Sequence, residues 1–405
     1  MKLSLHIGTP KTGTTSCQRW FAKNRAELRA QGVIYPQSLG AVNHRSLTVY
    51  GQDYGKPDPS FQRRQIKTAG DHSAYREQLR AEFLAEVQEH PTAHHWVISN
   101  EHLFSKIKTV AAITRVRDFL APHFAEITVY LHLRPQVDLL VSGASQQARL
   151  GRVVSLKTLT RPAVSDSSAY FNYDQAATRW ASVFGLENLR LVPFKKHPSI
   201  TEYLQNTLGI DRKNTTPVPH INEALGWQTM AMVNGLGTQA AQLGNLTNSL
   251  FLNQMPKGER LQIGLSVAQK IQARFTGSNT RLAARHPEIT LADLTPDWSR
   301  FDTPENASRL NDEATYSEQF AYVITRYRQE LRLEQARAAL AEAEWMLLSQ
   351  DEKAQNKFRQ LTRALKFQNC LPELVERREE LMVQKDGLKD RLQVLTTGGK
   401  HDAEL

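Results

Sequence analysis

Cysteine is almost absent: Cys17 and Cys370 are the two in 405 residues, and they lie far apart without metal-ligand spacing. That excludes a disulfide-stapled scaffold and a cysteine-built zinc module. No apolar run reaches the ~18 residues that a membrane-spanning helix requires. The N-terminus MKLSLHIGTP has no apolar core of a secretion signal, so a cytoplasmic protein is expected. Aromatic residues make up 8%, with no aromatic-rich RNA-binding signature and no basic helix standing apart from acidic neighbours. Nucleic acid is therefore not the expected partner, although the chain carries 51 Lys and Arg against 41 Asp and Glu, a net charge of +10. That balance favours an anionic nucleotide, an acidic substrate or an acidic membrane surface.

What is present begins at once. Residues 5 to 21, LHIGTPKTGTTSCQRWF, run a short apolar strand into a Gly/Lys/Thr-rich turn and then a helix. Gly8 and Gly13 allow the backbone to turn tightly, and Thr14, Thr15 and Ser16 place hydroxyls at the positive end of the helix. This is the build of a phosphate-binding loop. The ATP and GTP loop G-x-x-x-x-G-K-[ST] has its lysine after the second glycine. Here Thr14 holds that place, and Lys11 lies inside the loop behind Pro10.

The length exceeds one ordinary core, which predicts a large α/β domain with an appendage. Apolar periodicity predicts strands at Lys2–Ile7, near Val33–Tyr35, and at His95–Ser99, Glu126–Leu133 and Leu189–Pro193. Helices are expected over Thr15–Gln31, Ala74–Glu89, Thr109–Leu120, from Pro135, over Asn172–Phe184 and over Ile200–Leu208. The alternation implies a doubly wound parallel sheet of the P-loop type with helices on both faces. Residues 223–298 read as helical with turns at Gly235, Gly244 and Gly277. We place a domain boundary between residues 302 and 303. Beyond it, an Ala, Leu, Glu, Arg and Lys-rich extension interrupted by Pro372 predicts a helical hairpin or short coiled coil, able to serve an oligomer or partner contact.

The loop P-K-T-G-T-T-S resembles the 5′-phosphosulfate loop of sulfotransferases that use PAPS (3′-phosphoadenosine 5′-phosphosulfate). Further segments match the same family in order. LHLRPQVDLLVS is similar to its 3′-phosphate motif, with Arg134 at a strand end and Ser142 eight residues later; Ser145 is an alternative hydroxyl. YFNYDQAATRWASVFGLENLRLVPFKK is similar to a family helix, Phe-Gly turn and strand, in which Trp180 and Phe184 share a core-facing helix side. INEALGWQTMAMVNGL around Asn222 and FTGSNTRLAAR at 275–285 extend the likeness over residues 1–300, the latter offering Ser278, Asn279 and Arg281 to close over a ligand.

The resemblance implies sulfuryl transfer from PAPS to a hydroxyl or amine of a carbohydrate, in the manner of bacterial members that modify polysaccharides or glycolipids. It implies that Lys11, Thr12, Gly13, Thr14, Thr15, Ser16, Arg134 and Ser142 hold the donor, with Lys11 neutralising the leaving phosphate and no metal required. The acceptor must also lose a proton, for which His44 in AVNHRSL and Glu101 in VISNEHL compete, with His102 third. Two alternatives carry their own discriminators. An ATP-dependent P-loop kinase would need a lysine after Gly13 and a metal-holding strand-end aspartate; a non-catalytic scaffold with a partner-binding helical tail would ignore the nucleotide.

Overall fold

The computed structural model describes residues 1–55, 58–218, 224–236, 252, 255–256, 258–348, 354–367 and 369–398. The chain divides into two compact units, Met1–Asn311 and Asp312–Leu405. No helix among the described residues is long and apolar enough to cross a membrane.

In the first unit five strands, β1 (Lys2–Gly8), β2 (Val33–Ile34), β3 (His95–Ser99), β4 (Glu126–Leu133) and β5 (Leu189–Pro193), form one parallel sheet in the order β2-β3-β1-β4-β5. The central strand β1 is buried on both faces beyond Lys2, which is why polar residues there need partners. They have them: the Ser4 hydroxyl lies 2.9 Å from His95 Nε2, and His6 Nδ1 lies 2.8 Å from the Ser99 hydroxyl.

The helices that matter to the site are α1 (Thr14–Lys23), α2 (Arg45–Gly51), α3 (Ala69–Glu89), α4 (His102–Lys106), α5 (Val110–Leu120), α6 (Gln136–Arg149), α7 (Tyr173–Phe184), α8 (Ile200–Thr207), α9 (Leu265–Ala273) and α10 (Thr276–Arg285). One face of the sheet buries Cys17, Trp20 and Phe21 of α1 and Ile200 and Leu204 of α8 against Val97, Tyr130 and Val192. On the other, Trp96 of β3 meets Phe83 of α3 and Phe124 at 5.8 Å each between ring centroids. Trp180 is 1% exposed and stacks on Phe184, giving both the core role expected of them.

The expected helix over Thr15–Gln31 breaks at Asn24, whose side-chain amide donates to the Trp20 and Thr216 carbonyls while its oxygen accepts from Thr216 N at 2.6 Å. A partner 192 residues away decides that break. Helix α3 starts five residues before the expected Ala74, because Thr68 and Asp71 form a capping box. Pro135 caps α6 rather than occupying its first turn, and Gly277 sits inside α10, not at a turn. Asn222 and Gly244 fall outside the described residues.

The second unit contains α11 (Glu313–Leu348), α12 (Ala354–Leu365) and α13 (Val375–Gly398), three helices among the described residues where two segments were expected. Leu333, Ala336, Leu340 and Ala343 of α11 bury against Leu361 and Leu365 of α12 and Leu381 and Leu388 of α13. Pro372 opens the short turn that leads into α13.

Candidate active site

The C-terminal ends of β1, β3 and β4 lie side by side, so the segments leaving them converge. The loop after β1 begins at Gly8, at φ +108°, where an added Cβ would stand 3.1 Å from the Glu101 Cα and Cβ. Glycine there is what lets the end of β3 press against the loop. Thr9 donates twice to the His132 carbonyl of β4, from its amide and its hydroxyl at 2.9 Å each, and Thr12 Oγ1 donates to the Thr9 carbonyl at 2.6 Å. Lys11 and Gly13 adopt left-handed φ values of 65° and 84°, turning the chain on either side of buried Thr12.

Helix α1 follows with Gly13 at its N-cap, no side-chain cap and no acid in its first turn. Its uncapped end favours an anion. Thr14 is buried, while Thr15 and Ser16 are half-buried at the same end.

Arg134 leaves the end of β4, and its Nη1 donates to the Lys11 carbonyl at 3.1 Å. Its guanidinium lies 5.0 Å from the centre of the Phe194 ring, its own carbonyl accepts from the Tyr173 hydroxyl at 2.7 Å, and its Nε is buried with no hydrogen-bond partner among the described residues. The Lys11 ammonium pKa is lowered by burial, then by the charges of Arg149 and Arg134, with Glu101 opposing. Arg134 is likewise lowered, mainly by burial, with Asp138 opposing, and it also faces Arg300 and Arg260. Positive charge is thus concentrated where the loop, β4 and α6 meet.

Of the serines on α6, Ser145 accepts from Leu225 N at 3.0 Å inside the protein, which leaves half-buried Ser142 as the hydroxyl on that helix. Ser278, Asn279 and Arg281 do not close over the loop. Ser278 donates back to the Phe275 carbonyl, and Asn279 exchanges two bonds with buried Gln136, at 2.7 and 3.1 Å. Arg281 pairs with Asp174 at 3.1 Å. Their closeness in sequence reflects a buried seam between α6, α9 and α10, completed by Gln272 on Gln136.

Comparison with known proteins adds little. No family model matches the chain, and no curated protein matches it. A solved sulfotransferase structure from Alicyclobacillus acidocaldarius is similar at 13% identity and a TM-score of 0.39, over 72% of this chain and 98% of that one. So loose a likeness fixes neither the activity nor a ligand.

The two candidate bases have different fates. His44 is fully buried against the Tyr35 ring, 4.3 Å between centroids. Its Nδ1 accepts from the Ser99 amide at 2.9 Å, which sets the proton on Nε2, and that nitrogen donates to the Pro36 carbonyl at 3.0 Å. Both nitrogens are committed, so the expectation of His44 as a proton acceptor is corrected: it fastens its loop to β3. Asn100 completes the joint, donating to the His44 carbonyl and to Thr48 Oγ1 at 2.8 Å each.

Glu101, in contrast, stands at the loop. Its Oε2 accepts from buried Gln18 of α1 at 2.7 Å, and its Oε1 lies 3.9 Å from His102 Nε2. Gln18 also lies 3.5 Å from the Ser99 hydroxyl, so a row of side chains runs from His6 through Ser99 and Gln18 to the carboxylate. Burial and Glu101 together push the Tyr170 phenol up to about 12. Gln18 and Arg149 were missed from the sequence; the one signal was that Gln18 falls one helical turn after Thr14.

The buried histidines give the unit a pH dependence. Burial lowers His44 and His6 to about 3 each and His132 to about 4. Each is neutral when folded and takes its proton readily once unfolded, near pH 6.5, so stability is complete above that value and falls as pH drops toward 3. The expected loss is roughly 2 kcal/mol per histidine between pH 7 and pH 5. Urea unfolding at the two pH values measures it; equal midpoints would contradict the assignment.

Proposed function

We propose that the protein transfers a sulfuryl group from PAPS to a hydroxyl or amine of a carbohydrate. The observation that carries this reading is the placement of Lys11 inside the loop, its carbonyl held by Arg134 and its ammonium in the field of Arg149, Arg134 and Glu101. The cationic ground suits a donor with two separate phosphate positions. The uncapped start of α1, with Thr14, Thr15 and Ser16, would hold the 5′-phosphosulfate. Arg134 and Ser142 would hold the 3′-phosphate, and the unpartnered buried Nε of Arg134 is an unused donor there. When bound, the donor supplies an activated sulfuryl group on a phosphate leaving group.

The chain's own residues do the rest. Glu101, oriented by Gln18, takes the proton from the acceptor oxygen as that oxygen forms its bond to sulfur. The bridging S–O bond breaks in line, and Lys11 offsets the charge arriving on the departing phosphate. The carbohydrate acceptor, a polysaccharide or glycolipid, rests on the sequence resemblance.

Thermal unfolding with PAP, the desulfated product, beside ADP with magnesium tests the reading. PAP at a hundredfold excess over its dissociation constant is expected to stabilise by about 2.7 kcal/mol, a shift of several degrees. A shift with magnesium-ADP alone would overturn the proposal in favour of a kinase.

A further inference from the structure

Positive charge also gathers around His102, beside Glu101. The His102 ring, 3.9 Å from the Glu101 carboxylate, faces Arg45, Lys106 and Asp58 as well. Asp58 is no spare acid, because it is almost fully buried and already engaged. It accepts from Arg45 Nη2 at 2.7 and 3.0 Å, from Ser60 N at 2.8 Å and from Gln52 at 3.2 Å, with Lys106 Nζ at 3.7 Å. Exposed Lys108, in the turn between α4 and α5, meets the charges of Arg179 and Lys106.

Arg179 comes from α7, which is tied to the site end of the sheet by the Tyr173–Arg134 bond. Helical side chains slant toward the helix N-terminus, so Arg179 leans to that same end. Two guanidinium nitrogens bordering this ground, Arg45 Nη1 and Arg179 Nε, are buried without a hydrogen-bond partner among the described residues. No ion pair joins Lys108 or Arg179 to a carboxylate among those residues. Like charges gathered around unsatisfied donors are unfavourable until an anion takes them up.

We propose that Lys106, Lys108 and Arg179 form an anion subsite for the acceptor, which is therefore an acidic saccharide carrying a sulfate or carboxylate beside the reacting hydroxyl. This rests on the sulfuryl-transfer reading, and it sharpens the acceptor class. The acceptor's acid group would anchor on α4, its following turn and α7 while its hydroxyl reaches Glu101.

Sucrose octasulfate, compared with sucrose, is the probe, titrated by thermal shift on the full chain with PAP saturating. Octasulfate is expected to raise the melting temperature and sucrose to leave it unchanged. Lys108→Gln with Arg179→Gln should weaken octasulfate by at least about tenfold while the PAP shift persists. Lys108→Gln alone, at an exposed position, should weaken it in the same direction without affecting folding. Equal octasulfate affinity in wild type and the double variant overturns the subsite. A lost PAP shift with octasulfate still sensitive to Lys108 overturns the donor reading and leaves the subsite standing.

Discussion

Replacing Lys11 by alanine should lower sulfuryl transfer from radiolabelled PAPS by about 10²–10³-fold, the scale of losing one preorganised charge at a developing anion. The same change should leave thermal stability unchanged or slightly higher. The ammonium makes no ion pair within 4 Å among the described residues, and it sits beside Arg149 and Arg134, whose charges lower its pKa together with burial. Removing it relieves repulsion that the smaller opposing effect of Glu101 does not cancel. The backbone sharpens the comparison: Lys11 holds φ 65°, a conformation glycine adopts without strain. Lys11→Gly is therefore expected to be at least as stable as wild type and just as inactive. A lysine retained for folding would give the opposite pair of results, with stability lost and transfer preserved.

The sheet was legible because its signals are local. The runs HWVIS, EITVYLHL and LRLVP are short, apolar and bounded by turn residues, and each forms the strand expected of it. Gly8 and Gly13 were legible for the same reason: a tight turn asks for left-handed residues at a strand-to-helix junction. What could not be read depends on partners far along the chain. His44 looked like a loop histidine available for chemistry, yet Pro36 and Ser99 use both its nitrogens. Ser278 and Asn279 looked like a polar lid, yet Gln136, 143 residues away from Asn279, draws that segment into a buried amide network. Gln18 carried no mark beyond its helical spacing, and its meaning depends on a carboxylate 83 residues on. Arg149 went unmarked in the sequence, because a cation at a helix end is favourable wherever helices stop. Only the fold turns it toward Lys11.

Those long-range contacts also carry the expectation for the two other candidate bases, Glu101 and His102. Glu101→Gln should reduce transfer by about 10²–10⁴-fold, the range for removing a positioned general base. The substitution keeps the size of the side chain, and the new amide oxygen still accepts from Gln18 Nε2, so the geometry at 2.7 Å is retained while the basic oxygen is lost. The PAP-induced thermal shift should therefore persist, which separates a failed proton transfer from a failed donor site. His102 provides the counter-test. Its ring is 37% exposed at the side chain and 3.9 Å from the carboxylate, close enough to receive a proton in place of Glu101. Burial lowers its pKa, with Glu101 opposing, which makes a neutral imidazole at pH 7 an acceptor by charge state alone. Geometry favours Glu101, because Gln18 fixes one of its oxygens against the loop, whereas His102 has a Ser105 contact at 3.3 Å and a solvent-facing edge. His102→Ala is accordingly expected to change transfer by less than about tenfold, below the range for a positioned base. Substantial loss in His102→Ala together with near-normal transfer in Glu101→Gln would move the proton to the histidine and make the carboxylate its electrostatic partner.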